Sequence, residues 1–171
     1  MNRTARAPKR AQGSGGTDAG LTVHLRSEPG WKGLPAPRTF RAWIELALHG
    51  AKRRRAAEIH LLIADTASAR ALNRDFRGKD YATNVLSFPA DLPPGVRSPL
   101  LGDLAICADV VAREAAEQGK RLRDHYAHLT IHGTLHLLGY DHIDEHDATA
   151  MEALETRLLA RIGIADPYTP T

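Results

Sequence analysis

Ile131-His132-Gly133-Thr134-Leu135-His136-Leu137-Leu138-Gly139-Tyr140-Asp141-His142 is the stretch on which the reading of this 171-residue chain turns. His132 and His136 are one helical turn apart, so on a helix both rings leave the same face. Gly139 stands where that helix ends, because glycine takes the left-handed conformation that turns a chain back. The turn returns His142 toward the first two rings. Two imidazoles from a helix and a third from the turn make a three-ligand metal site with one position open, which is the catalytic pattern rather than the structural one. Gly133 occupies the position where the zincin pattern carries its glutamate, so no general base comes from within this helix.

Leu129, Ile131, Leu135, Leu137 and Leu138 surround those rings with apolar side chains. A helix apolar on nearly every side is buried. Two histidines buried side by side need partners, and a metal ion is the simplest shared one. His128 is also four residues before His132. On a continuous helix His128 and His136 are about 12 Å apart along the axis. Zinc–nitrogen bonds of about 2.1 Å cannot span that separation, so His128 is expected to pack beside the site or support it from behind. His125 and His146 are read as solvated or hydrogen-bonded histidines.

Working outward, the chain is long enough for one domain with a sizeable core. It holds one cysteine, Cys107, so no intrachain disulfide can form and a reducing, cytoplasmic compartment is expected. No apolar run approaches the ~18 residues of a membrane span. The N-terminus lacks the apolar core of a signal peptide. Arg3, Arg6, Lys9 and Arg10 against Asp18 account for the whole formal charge of +3. Residues 21 to 171 therefore balance, and the basic pI alone does not argue for nucleic acid. Residues 1 to 20 are expected to be a disordered basic tail, and residues 21 to 171 a single domain. Lys52, Arg53, Arg54 and Arg55 form a sharper cluster, either a phosphate contact or a solvated loop.

The periodicities outline the rest. Leu21 to Leu25 reads as a strand. Phe40, Trp43, Ile44, Ala47 and Leu48 follow helical spacing, and Gly50 ends that helix. Ile59, Leu61 and Ile63 alternate on a second strand. Asp65 or Thr66 caps a helix in which Leu72 and Phe76 form an i,i+4 apolar pair, closed by Gly78. Thr83 to Phe88 and Leu104 to Cys107 read as strands, and Asp109 to Gln118 as a helix. Leu122 to Leu138 is the central helix. Asp144 caps a last one, with Met151, Leu154 and Leu158 inward. The expected fold is α+β: a small mixed sheet of three to four strands with about five helices, the buried central helix carrying the metal motif.

Arg77, Gly78 and Lys79, followed by Asp80, lie between the second helix and the strand at Thr83. Two cations at a glycine turn can clamp a phosphate, arginine doing so with a planar, two-pronged donor set. They can equally be a charged helix end favoured by the helix dipole. Asp141 can orient a ligand ring or be a turn residue.

The run from His132 to His142 resembles the signature of the YbeY family of bacterial endoribonucleases, the ribosomal RNA maturation factors. Asn73-Arg-Asp-Phe-Arg77-Gly-Lys-Asp, Thr83-Asn-Val-Leu-Ser-Phe-Pro89 and Leu101-Gly-Asp-Leu-Ala-Ile-Cys107 resemble the family's other blocks, in the same order, over roughly residues 21 to 165. The basic tail lies beyond that core. The resemblance implies one zinc per chain held by His132, His136 and His142, and a functional arginine at Arg77, with Arg77 and His132 as the catalytic pair. It implies hydrolysis of single-stranded RNA, maturation of the 3′ end of 16S ribosomal RNA and ribosome quality control. The implied partners are the small ribosomal subunit and its assembly GTPases, with no membrane and no DNA. Two other functions fit parts of the pattern: a zinc hydrolase of another substrate class, and a non-catalytic, metal-stabilised ribosome assembly factor.

Overall fold

The computed structural model describes residues 20–141 and 143–170. Its elements in chain order are β1 (Leu21–Ser27), α1 (Pro37–Gly50), β2 (Ala57–Ala64), α2 (Thr66–Arg77), β3 (Val85–Pro89), β4 (Leu100–Cys107), α3 (Ala108–Glu117), α4 (Leu122–Leu137) and α5 (Glu145–Arg161). The strands form one mixed sheet in the order β1-β2-β4-β3. β1, β2 and β4 run parallel, and β3 is an antiparallel edge on β4. This is the α+β architecture expected from the pattern.

Alternation along β2 decides which side is the core. Ile59, Leu61 and Ile63 are buried, whereas Glu58, His60 and Leu62 point to the other face. The buried face packs on α1 and α4, and α5 packs on those two helices. Phe40, Ile44, Ile131, Leu135, Met151 and Leu159 there are almost wholly withdrawn from solvent. Burial of each such side chain contributes about 1.5–3 kcal/mol. A smaller cluster, Ala64, Ala69, Cys107 and Val110, joins α2 and α3 to the sheet.

The caps follow local chemistry. Asp65, not Thr66, caps α2 by accepting a hydrogen bond from the Ser68 N–H at 2.7 Å. Asp144 does the same for α5 through the Asp147 N–H at 2.7 Å. At the end of α4 the Gly139 N–H donates to the His136 carbonyl and the Tyr140 N–H to the Leu135 carbonyl. Gly139 has φ +96°, so this is the left-handed Schellman turn that the glycine announces.

Two differences from the expected outline have physical causes. β4 begins at Leu100, earlier than Leu104, because its first half pairs with β2 and β3 despite carrying Gly102 and Asp103. β3 begins at Val85 rather than Thr83, since the Asn84 carboxamide accepts from the Val85 N–H and turns the chain just before the ladder. Phe76 lines the same groove over the sheet as Leu72, its i,i+4 partner. It is 69% exposed, and its ring meets that of Phe88 edge-on at 5.3 Å. Residues 1–19 of the expected tail lie outside the described residues. The Gly20 carbonyl accepts from the Ala57 N–H and so belongs to the start of the sheet.

Candidate metal centre

α4 is buried on most sides, and His128, His132 and His136 are half-buried on it. His132 and His136 have ring centroids 4.7 Å apart, edge to face. Both line a cavity of about 460 Å³ that Arg77, Asn84, Ser87 and Asp141 also line. The arginine and the two histidines, 55 or more positions apart in the chain, thus face one space. His142 lies outside the described residues.

Gly133 explains why the helix carries no glutamate at that position. A Cβ there would approach Leu104 Cδ2 at 2.9 Å and both Ser87 Oγ and Val85 Cγ2 at 3.3 Å. Its carbonyl accepts from the Ser87 hydroxyl at 3.2 Å. This side of α4 is pressed against β3 and β4 and does not face the cavity.

Arg77 ends α2, where Gly78 takes φ +69°. Its Nη2 donates to the Ser87 carbonyl at 3.0 Å, which ties the guanidinium to β3. The neighbouring Asp80 is engaged elsewhere, receiving both Nε and Nη2 of Arg70 at 2.8 Å. The cluster read from the sequence is therefore split: Asp80 pairs back onto α2, while Arg77 faces the cavity.

The residue that sequence reading missed is Glu155. It is wholly buried on α5, and its Oε1 accepts from His132 Nδ1 at 2.6 Å. Its Oε2 accepts from His128 Nε2 at 3.3 Å and from the Tyr168 hydroxyl. Burial alone would raise this carboxyl; the hydrogen bonds from His128 and His132 outweigh it and bring the pKa down to about 2. An ionised carboxylate only accepts, so the proton between it and His132 sits on Nδ1, and Nε2 is the ring nitrogen not engaged by that carboxylate. Such a carboxylate behind an imidazole is the usual support of a metal-ligating histidine. The signal was present: Glu155 stands among Met151, Leu154 and Leu158, a charge inside an apolar stripe.

His128, His132 and Glu155 also form a group whose donor atoms all lie within 4.8 Å of one another and could hold a metal ion. His128 and His132 thus hold the two oxygens of one carboxylate. His125 is buried, and its Nε2 meets Glu114 at 2.7 Å. His146 is 94% exposed. Lys52 to Arg55 form the turn between α1 and β2, where Arg53 Nη2 donates to the Ala56 carbonyl at 2.9 Å. They do not line the cavity of His132.

A small mixed sheet backed by a histidine-bearing helix, with an arginine and a carboxylate-supported imidazole at one cavity, defines a class of α+β proteins with a metal-capable centre. The model of the family Endoribonuclease YbeY matches residues 34–163. Endoribonuclease YbeY of Stenotrophomonas maltophilia strain R551-3 is 61% identical over 140 residues, covering 80% of this chain and 86% of that one. Endoribonuclease YbeY of Xanthomonas campestris pv. campestris strain B100 is 60% identical over the same shares. The solution structure of TM1509 from Thermotoga maritima shares the fold, with a TM-score of 0.56 at 22% identity over 87% of this chain and all of that one. The chain belongs to the YbeY endoribonuclease family.

Proposed function

We propose that this chain is a zinc-dependent endoribonuclease that cuts single-stranded RNA in the cavity shared by Arg77, His132 and His136. The observation that carries the reading is that shared cavity, together with the carboxylate of Glu155 behind His132. Membership in a family named for endoribonuclease activity supports RNA as the substrate. The ligands are His132, His136 and His142. What the ion supplies when bound is a concentrated positive charge, which lowers the pKa of water to about 7 and polarises a phosphoryl oxygen.

The protein's own groups divide the remaining work. Glu155 holds the Nδ1 proton of His132, which fixes the ring's tautomer and orientation. His128 and Tyr168 hold the other oxygen of Glu155, so the carboxylate cannot swing away. Arg77 spends one N–H on the Ser87 carbonyl and has others of its five to offer a phosphate. In that place it stabilises the negative charge that builds on the phosphoryl oxygens as the chain is cut. The attacking oxygen is either water or the ribose 2′-hydroxyl, and a substrate lacking that hydroxyl separates the two. The site residues, the zinc and the separation of a tail at residues 1 to 20 are part of this reading. So are a cytoplasmic setting, maturation of the 16S ribosomal RNA 3′ end, ribosome quality control, and work on the small ribosomal subunit with an assembly GTPase. Among the described residues no helix is long and apolar enough to cross a membrane.

The test is to incubate zinc-loaded protein and a His132→Ala variant with single-stranded RNA, duplex RNA and peptides. Cleavage confined to single-stranded RNA and lost in the variant is expected. Equal cleavage by both proteins would trace the activity to a contaminant and contradict the reading.

A further inference from the structure

The face of the sheet away from the core carries a second set of metal-ligating side chains. His24 on β1 and His60 on β2 are Cα partners in the parallel register. Their ring centroids are 4.6 Å apart. Glu58 precedes His60 by two residues, and on a strand that places its side chain on the same face. Glu58 Oε1 lies 2.8 Å from His24 Nε2 and 3.7 Å from His60 Nε2. All three ligand atoms lie within 4.8 Å of one another.

Those separations suit a shared ion. Two ligand atoms bound tetrahedrally at about 2.1 Å are about 3.4 Å apart, and the observed 2.8 and 3.7 Å bracket that value. Two imidazoles and one carboxylate form a donor set for zinc, nickel or copper rather than for magnesium or calcium, which prefer all-oxygen surroundings. The side chains of His24, Glu58 and His60 are 47%, 32% and 49% exposed, so an ion reaches them without opening the fold. Three ligands leave at least one position for an exogenous oxygen.

The surroundings give that position a direction. His24 and His60 line a groove of about 780 Å³ over the sheet, which Arg77 and Phe88 also line. One row crosses the strands: His24 pairs with His60, His60 with Asp103, and Asp103 with Phe88. We propose that His24, Glu58 and His60 form a second, exposed site for a divalent transition-metal ion, with an open position toward this groove that accepts a phosphate oxygen. It shares no ligand with the centre on α4 and does not depend on the activity proposed there.

The experiment is a calorimetric titration of the full-length protein with Zn²⁺, first without and then with inorganic phosphate. Wild-type protein is expected to show a weaker binding event beyond any tightly held ion. The double variant His24→Ala/His60→Ala should lose that event, while His136→Ala and His146→Ala should keep it. Phosphate should tighten the weak event several-fold in wild type. The substitutions lie on a solvated face, and unchanged melting of the metal-free double variant shows that the fold is intact. Absence of a weak event in wild type overturns the proposal, as does its survival in the double variant. Loss of the event in His146→Ala would move the ion to the exposed group Asp144, His146 and Asp147 and overturn it too. No effect of phosphate would overturn the open position. Loss of the tight ion in His136→Ala bears only on the centre on α4.

Discussion

His132 Nδ1 lies 2.6 Å from Glu155 Oε1, across the packed interface of α4 and α5. That bond couples the ring expected to ligate metal to a wholly buried carboxylate. Glu155→Gln keeps the shape and removes the charge. Zinc affinity, measured by competition with a chromophoric chelator, is expected to fall about 10- to 100-fold. Unchanged affinity would mean that Glu155 serves packing alone.

Zinc content tests the ligand set directly. Purified protein should hold about one tightly bound zinc per chain after dialysis, and His136→Ala should lose most of it. Ligation and folding are linked, so the variant should also melt lower. Full occupancy in the variant, by elemental analysis, would refute His136 as a ligand.

Arg77→Ala should keep both zinc and fold, because its one described hydrogen bond goes to the Ser87 carbonyl on β3. RNA cleavage should nonetheless be lost. Arg77→Lys should recover only part, since lysine keeps the charge and not the two-pronged geometry. A fall in kcat with unchanged RNA binding would place the defect in transition-state charge, and weaker binding would place it in docking. Wild-type cleavage and binding by the alanine variant would return Arg77 to a charged helix end.

Gly133→Glu tests the packing of α4 on the sheet. The new side chain would meet Leu104, Ser87 and Val85. An unpaired carboxylate buried there costs about 3 kcal/mol or more. In a chain of this size that is roughly 10 °C in Tm. Wild-type melting would show that this side of α4 opens readily.

His125 gives a pH signature. Burial lowers its pKa below the usual 6.5, although the contact with Glu114 pulls the other way. The unfolded chain therefore takes up the proton first as pH falls. Stability from the neutral ring is full above pH 6.5 and is lost progressively below it. His125→Gln removes the titration, and the gap between the two Tm curves should change between pH 7.5 and 5.5. Parallel curves would contradict the shift.

Much of this was legible in the chain because it is local. The helical spacing of Phe40 to Leu48, the caps at Asp65 and Asp144 and the turn at Gly139 each depend on residues within a few positions. What register and packing create was not legible. Nothing near Phe76 says that it stays exposed against Phe88. His24 and His60 become neighbours only through the pairing of β1 with β2. Glu155 was visible as a misplaced charge, but its partner His132 is set by how α5 crosses α4. Arg77 remained an even choice on pattern alone, because a helix end looks the same whether it faces solvent or a cavity.

The most direct measurement is single-turnover cleavage of an end-labelled single-stranded RNA by zinc-loaded wild-type protein and by His136→Ala. The account predicts cleavage by wild type and its loss, by about two orders of magnitude or more, in the variant, as expected where an ion carries the charge stabilisation. Cleavage by His136→Ala at the wild-type rate would contradict it.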